Sequence, residues 1–198
     1  MAKTFDATTK DLIESNPGAW LYVLLGWDVG LVSLLNVELS TVTAEADAIL
    51  KVEGPTPWIA HVEVQSTYDK SLPLRLLKYM ALIRNRHDLP IRSVVLLLCP
   101  EAAGPAMTGE LHHNLPDGTP YLYYHYDVVK LWELPLGQIL RAGLAALPLA
   151  PLADVSEQDL PGIIQTIQDR LDREATPSQA KTYMLATYLL AGLRFHEA

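Results

Sequence analysis

The run Ile91 to Cys99, IRSVVLLLC, most narrows what this chain can fold into. From Val94 to Cys99 every side chain is apolar, so a strand there has no face to give to water and needs cover on both sides. The stretch just before it supplies one cover. Leu72, Leu76, Tyr79, Met80 and Ile83 recur at helical spacing over Leu72 to Arg86, while Arg75, Lys78 and Arg86 lie off that stripe. Further upstream, Ala46 to Glu53 and Trp58 to Ser66 read as strands flanking the turn Gly54-Pro55-Thr56-Pro57, and Val32 to Glu38 as another strand. Strand, strand, strand, helix, strand is an α/β order.

The ends are read from their punctuation. A helix is expected over residues 8–15, stopped at Asn16-Pro17, and a second from Pro17 to about Leu25, ended by Gly26. Met107 to Trp132 reads as additional antiparallel strands turning at Pro116-Asp117-Gly118. Two helices close the chain, over 156–174 and 177–194. Each opens on a capping-box pattern, Ser156 with Asp159 and Thr176 with Gln179. The expected organisation is a main domain over 1–142, an Ala- and Pro-rich connector over 143–155 and a C-terminal helical hairpin over 156–198.

Bulk properties exclude some classes. With 49% hydrophobic and 19% charged residues the chain reads as an ordinary globular protein. A net charge of −8 argues against a broad basic nucleic-acid surface, though not against a local basic cleft. One cysteine, Cys99, permits no intrachain disulfide. The N-terminus lacks a signal-peptide pattern, and the apolar window Trp20 to Leu35 is broken by Gly26, Asp28 and Gly30. A cytoplasmic protein without a membrane partner is expected; a homodimer is left open.

The chemistry centres on two carboxylates. Asp47 and Glu63 each lie eight residues from Pro55. Hairpin pairing centred there sets them opposite each other, and Glu45 opposite Gln65, all on one sheet face. Ala46, Ala48, Val62 and Val64 then share the other. Opposed residues have Cβ atoms roughly 5 Å apart, where like charges repel, so something must compensate. A divalent cation would; Mg²⁺ favours one or two carboxylates with waters and phosphate oxygens. From pattern alone, a hairpin with one wet face explains the same alternation, and a one-residue slip would reverse every facing.

The runs Glu45-Ala46-Asp47-Ala48-Ile49-Leu50, His61-Val62-Glu63-Val64-Gln65-Ser66, Leu72-Pro73-Leu74-Arg75-Leu76-Leu77-Lys78-Tyr79, Leu89-Pro90-Ile91-Arg92-Ser93-Val94-Val95 and Tyr126 to Pro135 together resemble the Rpn-like recombination-promoting nuclease and transposase family of the PD-(D/E)XK superfamily. The resemblance implies a restriction-endonuclease-like central mixed sheet flanked by helices. It also implies hydrolysis of DNA phosphodiesters with Mg²⁺, or Mn²⁺ in its place. It matches Asp47 and Glu63 to the metal-binding acids and Gln65 to the position of the superfamily lysine. Ala46 stands where the motif has proline.

Arg75 and Tyr79 lie one helical turn apart and, with Lys78, are the candidate substrate-binding residues; a solvated Arg and a core Tyr explain the same spacing. Arg75, Lys78, Arg84 and Arg86 are the expected local basic patch. His61 shares the strand face of Glu63 and reads as a partner of the acids or as a buried structural histidine. His112, His113 and His125 make a poor metal set, since strand neighbours point to opposite faces. Tyr121, Tyr123, Tyr124 and Tyr126 offer stacking surfaces or cross-strand packing. Two functions follow as expectations: a Mg²⁺-dependent DNA endonuclease, or a nuclease-fold protein that binds DNA or a protein partner without cutting.

Overall fold

A computed structural model describes residues 2–35 and 46–195, with side chains from Phe5 onward. Helices α1 (Ala2–Ser15) and α2 (Pro17–Leu25) lead into strands β1 (Val32–Leu34), β2 (Ala48–Val52) and β3 (Trp58–Gln65). Helix α3 (Leu72–His87) and strands β4 (Ile91–Leu97), β5 (Glu110–Asn114), β6 (Pro120–His125) and β7 (Asp127–Lys130) follow. The chain closes with α4 (Leu136–Arg141), a 3-10 segment over Leu144–Leu152, α5 (Leu160–Glu174) and α6 (Pro177–Arg194). Five strands form one sheet in the order β1-β2-β3-β4-β7, antiparallel up to β3 and parallel from there on. The result is a mixed sheet flanked by helices, the α/β class expected.

Local signals place the element ends. Asn16 caps α2, its side-chain oxygen accepting from the Ala19 N–H, and Gly26 ends the helix at φ 80°. Both capping boxes form, Ser156 with Asp159 ahead of α5 and Thr176 with Gln179 at α6. Helix α1 begins earlier than the expected residue 8. Residues 36–38 of the expected strand over Val32 to Glu38 lie outside the described residues.

Strand β4 is flanked by β3 and β7, and Ser93 to Leu97 are buried, as a run without a polar face requires. One sheet face, including Leu50, Val62, Val64, Val94 and Leu96, packs in the largest core cluster with Ile13, Trp20, Ile163 and Leu190 of the N- and C-terminal helices. The other carries Val95 and Leu97 against Leu72 and Leu76 of α3 and Tyr124 of β6. Within Met107 to Trp132, β5 and β6 pair antiparallel as expected, but β7 joins the main sheet parallel to β4. An Arg92–Asp127 ion pair at 2.6 Å stands where β7 enters beside β4.

The stretch expected as a connector is among the most buried parts of the chain. Every residue from Ala145 to Leu152 is buried, and the segment lies in the same core as the sheet. Trp20 Nε1 donates to the Ala145 carbonyl at 3.1 Å. Arg170 of α5 donates to the carbonyls of Leu140 and Ala142, and Arg194 of α6 to those of Ala153 and Val155. The carbonyls that flank the proline-interrupted segment are thus answered by side chains of the helices that follow it. Among the described residues, no helix is long and apolar enough to cross a membrane.

Because the C-terminal helices share the sheet's core, a chain ending at Ala142 should lose its fixed packing, read as loss of near-UV circular dichroism and of a cooperative urea transition. In the full chain, Leu147→Ala should cost about 2–5 kcal/mol in the same denaturation experiment.

Candidate active site

The register of β2 against β3 decides which side chains meet. Ala48 pairs with Val62 and Ile49 with His61, so continuing the ladder by one residue sets Asp47 opposite Glu63. This is the pairing expected from symmetry about Pro55. Asp47 sits at a bend just before β2. The bend also turns Ala46 away from Ala48, and Ala46 is buried on the α3 side with Ile49, Ile59, Tyr79 and Ile83. Glu45, expected opposite Gln65, lies outside the described residues.

Each acid accepts from a backbone N–H of the facing strand segment. The Val64 N–H donates to Asp47 Oδ2 at 2.8 Å, and the Asp47 N–H donates to Glu63 Oε1 at 3.4 Å. Glu63 is only 3% exposed. Its Oε1 also faces His61 Nε2 at 3.4 Å, and its Oε2 faces Arg75 at 3.3 Å. All three contacts are long beside the roughly 2.7–2.9 Å of a strong charge-assisted bond. The Asp47 carboxyl is pushed up to about 7, by burial first and then by the Glu63 charge, with Asp6 adding. The Val64 N–H and Arg75 oppose that rise.

Asp6 is the participant that sequence reasoning missed. It reaches the C-terminal end of β3 from α1, where Ser66 Oγ donates to its Oδ1 at 3.1 Å. Burial raises its pKa more than that bond lowers it. Its signal was periodic: Asp6 precedes the buried Ile13 by about two helical turns, so a helix extended to the N-terminus puts an acid on the apolar stripe.

The other candidates distribute unevenly. Arg75 bridges Glu63 and Asp69, the latter at 2.6 Å. Asp69 is itself held by the Ser71 N–H and hydroxyl. Tyr79 is buried and packs edge-on against His61 with ring centres 5.7 Å apart. Gln65 is half-buried, two residues beyond Glu63 on the same strand face. Lys78 is exposed on α3. Of the expected basic patch, Arg86 returns to about the side of Arg75 after three turns, whereas Arg84 lies about half a turn away and pairs with Asp88 at 2.6 Å.

The hairpin of β5 and β6 touches this chemistry through Tyr124, whose buried hydroxyl faces Ser93 and feels the Glu63 charge. His112 bonds Glu110 and lies against Tyr123, and His113 lies against Tyr121. Tyr121 and Tyr123 are exposed, while Tyr124 and Tyr126 are buried and stacked. No Lys or Arg occurs from Ser93 to Val129, so the hairpin itself brings no permanent cation to hold a phosphate backbone.

Among the described residues, no group of three or more Asp, Glu, His or Cys side chains converges to hold a metal ion. A cation between Asp47 and Glu63 would rely on two carboxylates plus water and substrate oxygens, a donor set that suits Mg²⁺ better than a softer metal. Comparison with protein-family models, with curated proteins and with solved structures finds no match.

The sign of the Asp47 shift sets a pH dependence. As pH rises from about 4 to about 7, the unfolded chain releases this proton while the folded chain retains it, so stability falls across that window and levels above it. With EDTA present, Asp47→Asn, which cannot ionise, should be more stable than the parent at pH 8 by on the order of 2 kcal/mol, and the gain should vanish near pH 4. Thermal unfolding at the two pH values reads this directly.

Proposed function

We propose that the chain is a metal-dependent deoxyribonuclease with a restriction-endonuclease-like core, in which Asp47 and Glu63 hold Mg²⁺, or Mn²⁺ in its place. One observation carries the reading. Glu63 is buried to 3% exposure beside a second acid, and each of its three contacts is 3.3 Å or longer. A buried carboxylate normally has close, charged partners, because removing it from water costs several kcal/mol. Glu63 lacks one strong partner, and a hard cation held by Glu63 and Asp47 would supply it. The resemblance of the surrounding motifs to Rpn-like nucleases supports the same reading.

A divalent cation in that position polarises a phosphoryl oxygen and acidifies a bound water. The chain's own groups do the rest. Arg75, anchored on Asp69, can turn its fork from Glu63 to a phosphate oxygen. Gln65 offers an amide donor and a carbonyl acceptor where the superfamily has a lysine; it orients water rather than neutralising charge. Lys78 and Arg86 extend a basic strip along α3 for the flanking backbone.

A second reading draws on Arg75. Its contact with Glu63 gives the acidic pair an internal counter-ion, and a nuclease fold balanced in this way could bind DNA or a protein partner without cutting. Plasmid cleavage in Mg²⁺, Mn²⁺, Ca²⁺ and EDTA separates the two. Nicking in Mg²⁺ and Mn²⁺ that disappears in EDTA and in Asp47→Ala is the expected result; equal nicking by Asp47→Ala, or none in any ion, sinks the nuclease reading.

Gln65→Ala should slow cleavage by roughly 10- to 1,000-fold, the range for losing one positioned polar group, while Mg²⁺ affinity measured by calorimetry stays close to the parent. Parent-like cleavage would make Gln65 a packing residue.

A further inference from the structure

Behind Glu63 lies a histidine with no exposed surface. His61 Nδ1 is 3.1 Å from Ser93 Oγ on β4, and His61 Nε2 is 3.4 Å from Glu63 Oε1. Tyr79 closes the ring's side at an interplanar angle of 73°. A bare Nε2 lone pair facing a carboxylate oxygen would set two acceptors against each other, so Nε2 carries the proton. A neutral imidazole has a single N–H, which leaves Nδ1 as acceptor and Ser93 Oγ–H as its donor. The chain of donation therefore runs one way, from Ser93 to His61 to Glu63.

Packing alone does not account for this ring. Burying an imidazole costs free energy unless its nitrogens are satisfied, and an apolar side chain of similar volume would fill the space without that cost. Arg75 already faces the Glu63 charge from the other oxygen. The remaining role is orientation. The terminal torsion of a glutamate is broad, so an unrestrained carboxylate turns readily. His61 and the Asp47 N–H both face Oε1 while Arg75 faces Oε2, so the donors on Oε1 bias the rotation of the carboxylate even when Arg75 turns away.

We propose that His61 is a positioning residue: anchored by Ser93, it fixes the rotation of the Glu63 carboxylate relative to Asp47. This rests on the reading of Asp47 and Glu63 as a cation site. Partners of this kind are worth about 10- to 100-fold in metal affinity. His61→Leu keeps the volume and removes the donor, whereas His61→Gln restores an amide N–H toward Glu63 and an acceptor toward Ser93. Ser93→Ala keeps the ring and its packing but frees Nδ1.

The test combines nitrogen-15 NMR of the metal-free protein with Mg²⁺ calorimetry of the parent and the three variants. The expected spectrum shows His61 as the Nε2–H tautomer. The expected affinities fall about 10- to 100-fold in His61→Leu and about 3- to 10-fold in Ser93→Ala, and stay within about 3-fold of the parent in His61→Gln. An Nδ1–H ring, parent-like affinity in His61→Leu or in Ser93→Ala, or a His61→Gln as weak as His61→Leu overturns the positioning role while leaving a metal-binding parent intact. A parent that takes up neither Mg²⁺ nor Mn²⁺ overturns the cation site itself, and the positioning role with it.

Discussion

The pairing of β2 with β3 in one register is the constraint on which the site depends. With Ala48 across from Val62 and Leu50 across from Ala60, the even-numbered residues of both strands enter the core shared with the terminal helices. The odd-numbered ones turn toward α3, and Asp47, His61, Glu63 and Gln65 are among them. A slip of one residue in β3 would drive Glu63 against Ile13 and Trp20 and turn Val62 and Val64 out of that core toward α3. The burial of Leu50, Val62 and Val64 therefore enforces the arrangement of the acids: the hydrophobic face chooses the register, and the polar face receives its geometry from that choice.

Electrostatics then pulls against packing. Asp47 feels the charges of both Glu63 and Asp6, and burial raises the pKa of Asp47 and of Asp6. The opposing positive group is Arg75, tied more closely to Asp69 than to Glu63. Asp69 is fixed at the start of α3 by two bonds from Ser71 and is held below the usual carboxylate range by them. The loop between β3 and α3 thus sets where the guanidinium can reach. The guanidinium stays near the acids without pairing closely with Glu63.

Core continuity explains the C-terminal third. The 3-10 segment Leu144–Leu152 lacks the regular backbone pairing that would let it stand alone, and it contains Pro148 and Pro151. It persists because α1, α2, α5 and α6 surround it and because Arg170 and Arg194 answer carbonyls on its flanks. The helical hairpin it leads into forms one wall of the core beneath the sheet rather than an appendage.

Much of this was legible locally. The apolar run of β4, the helical stripe over Leu72 to Ile83, the caps at Asn16, Ser156 and Thr176, and the symmetric spacing of Asp47 and Glu63 about Pro55 each follow from residue type and period, because strands and helices repeat their facings over fixed intervals. Three things did not follow. Asp6 reaches the acids from a helix sixty residues away from Ser66, its partner. Ser93 meets His61 only because β4 lies parallel to β3. The stretch from Ala145 to Leu152 reads as a linker by composition yet is buried by the helices around it. The sequence alone determined which residues form strands and helices and which face of the hairpin is polar. Tertiary structure decided which distant groups share that face, since such contacts depend on how whole elements pack, and no local period encodes that.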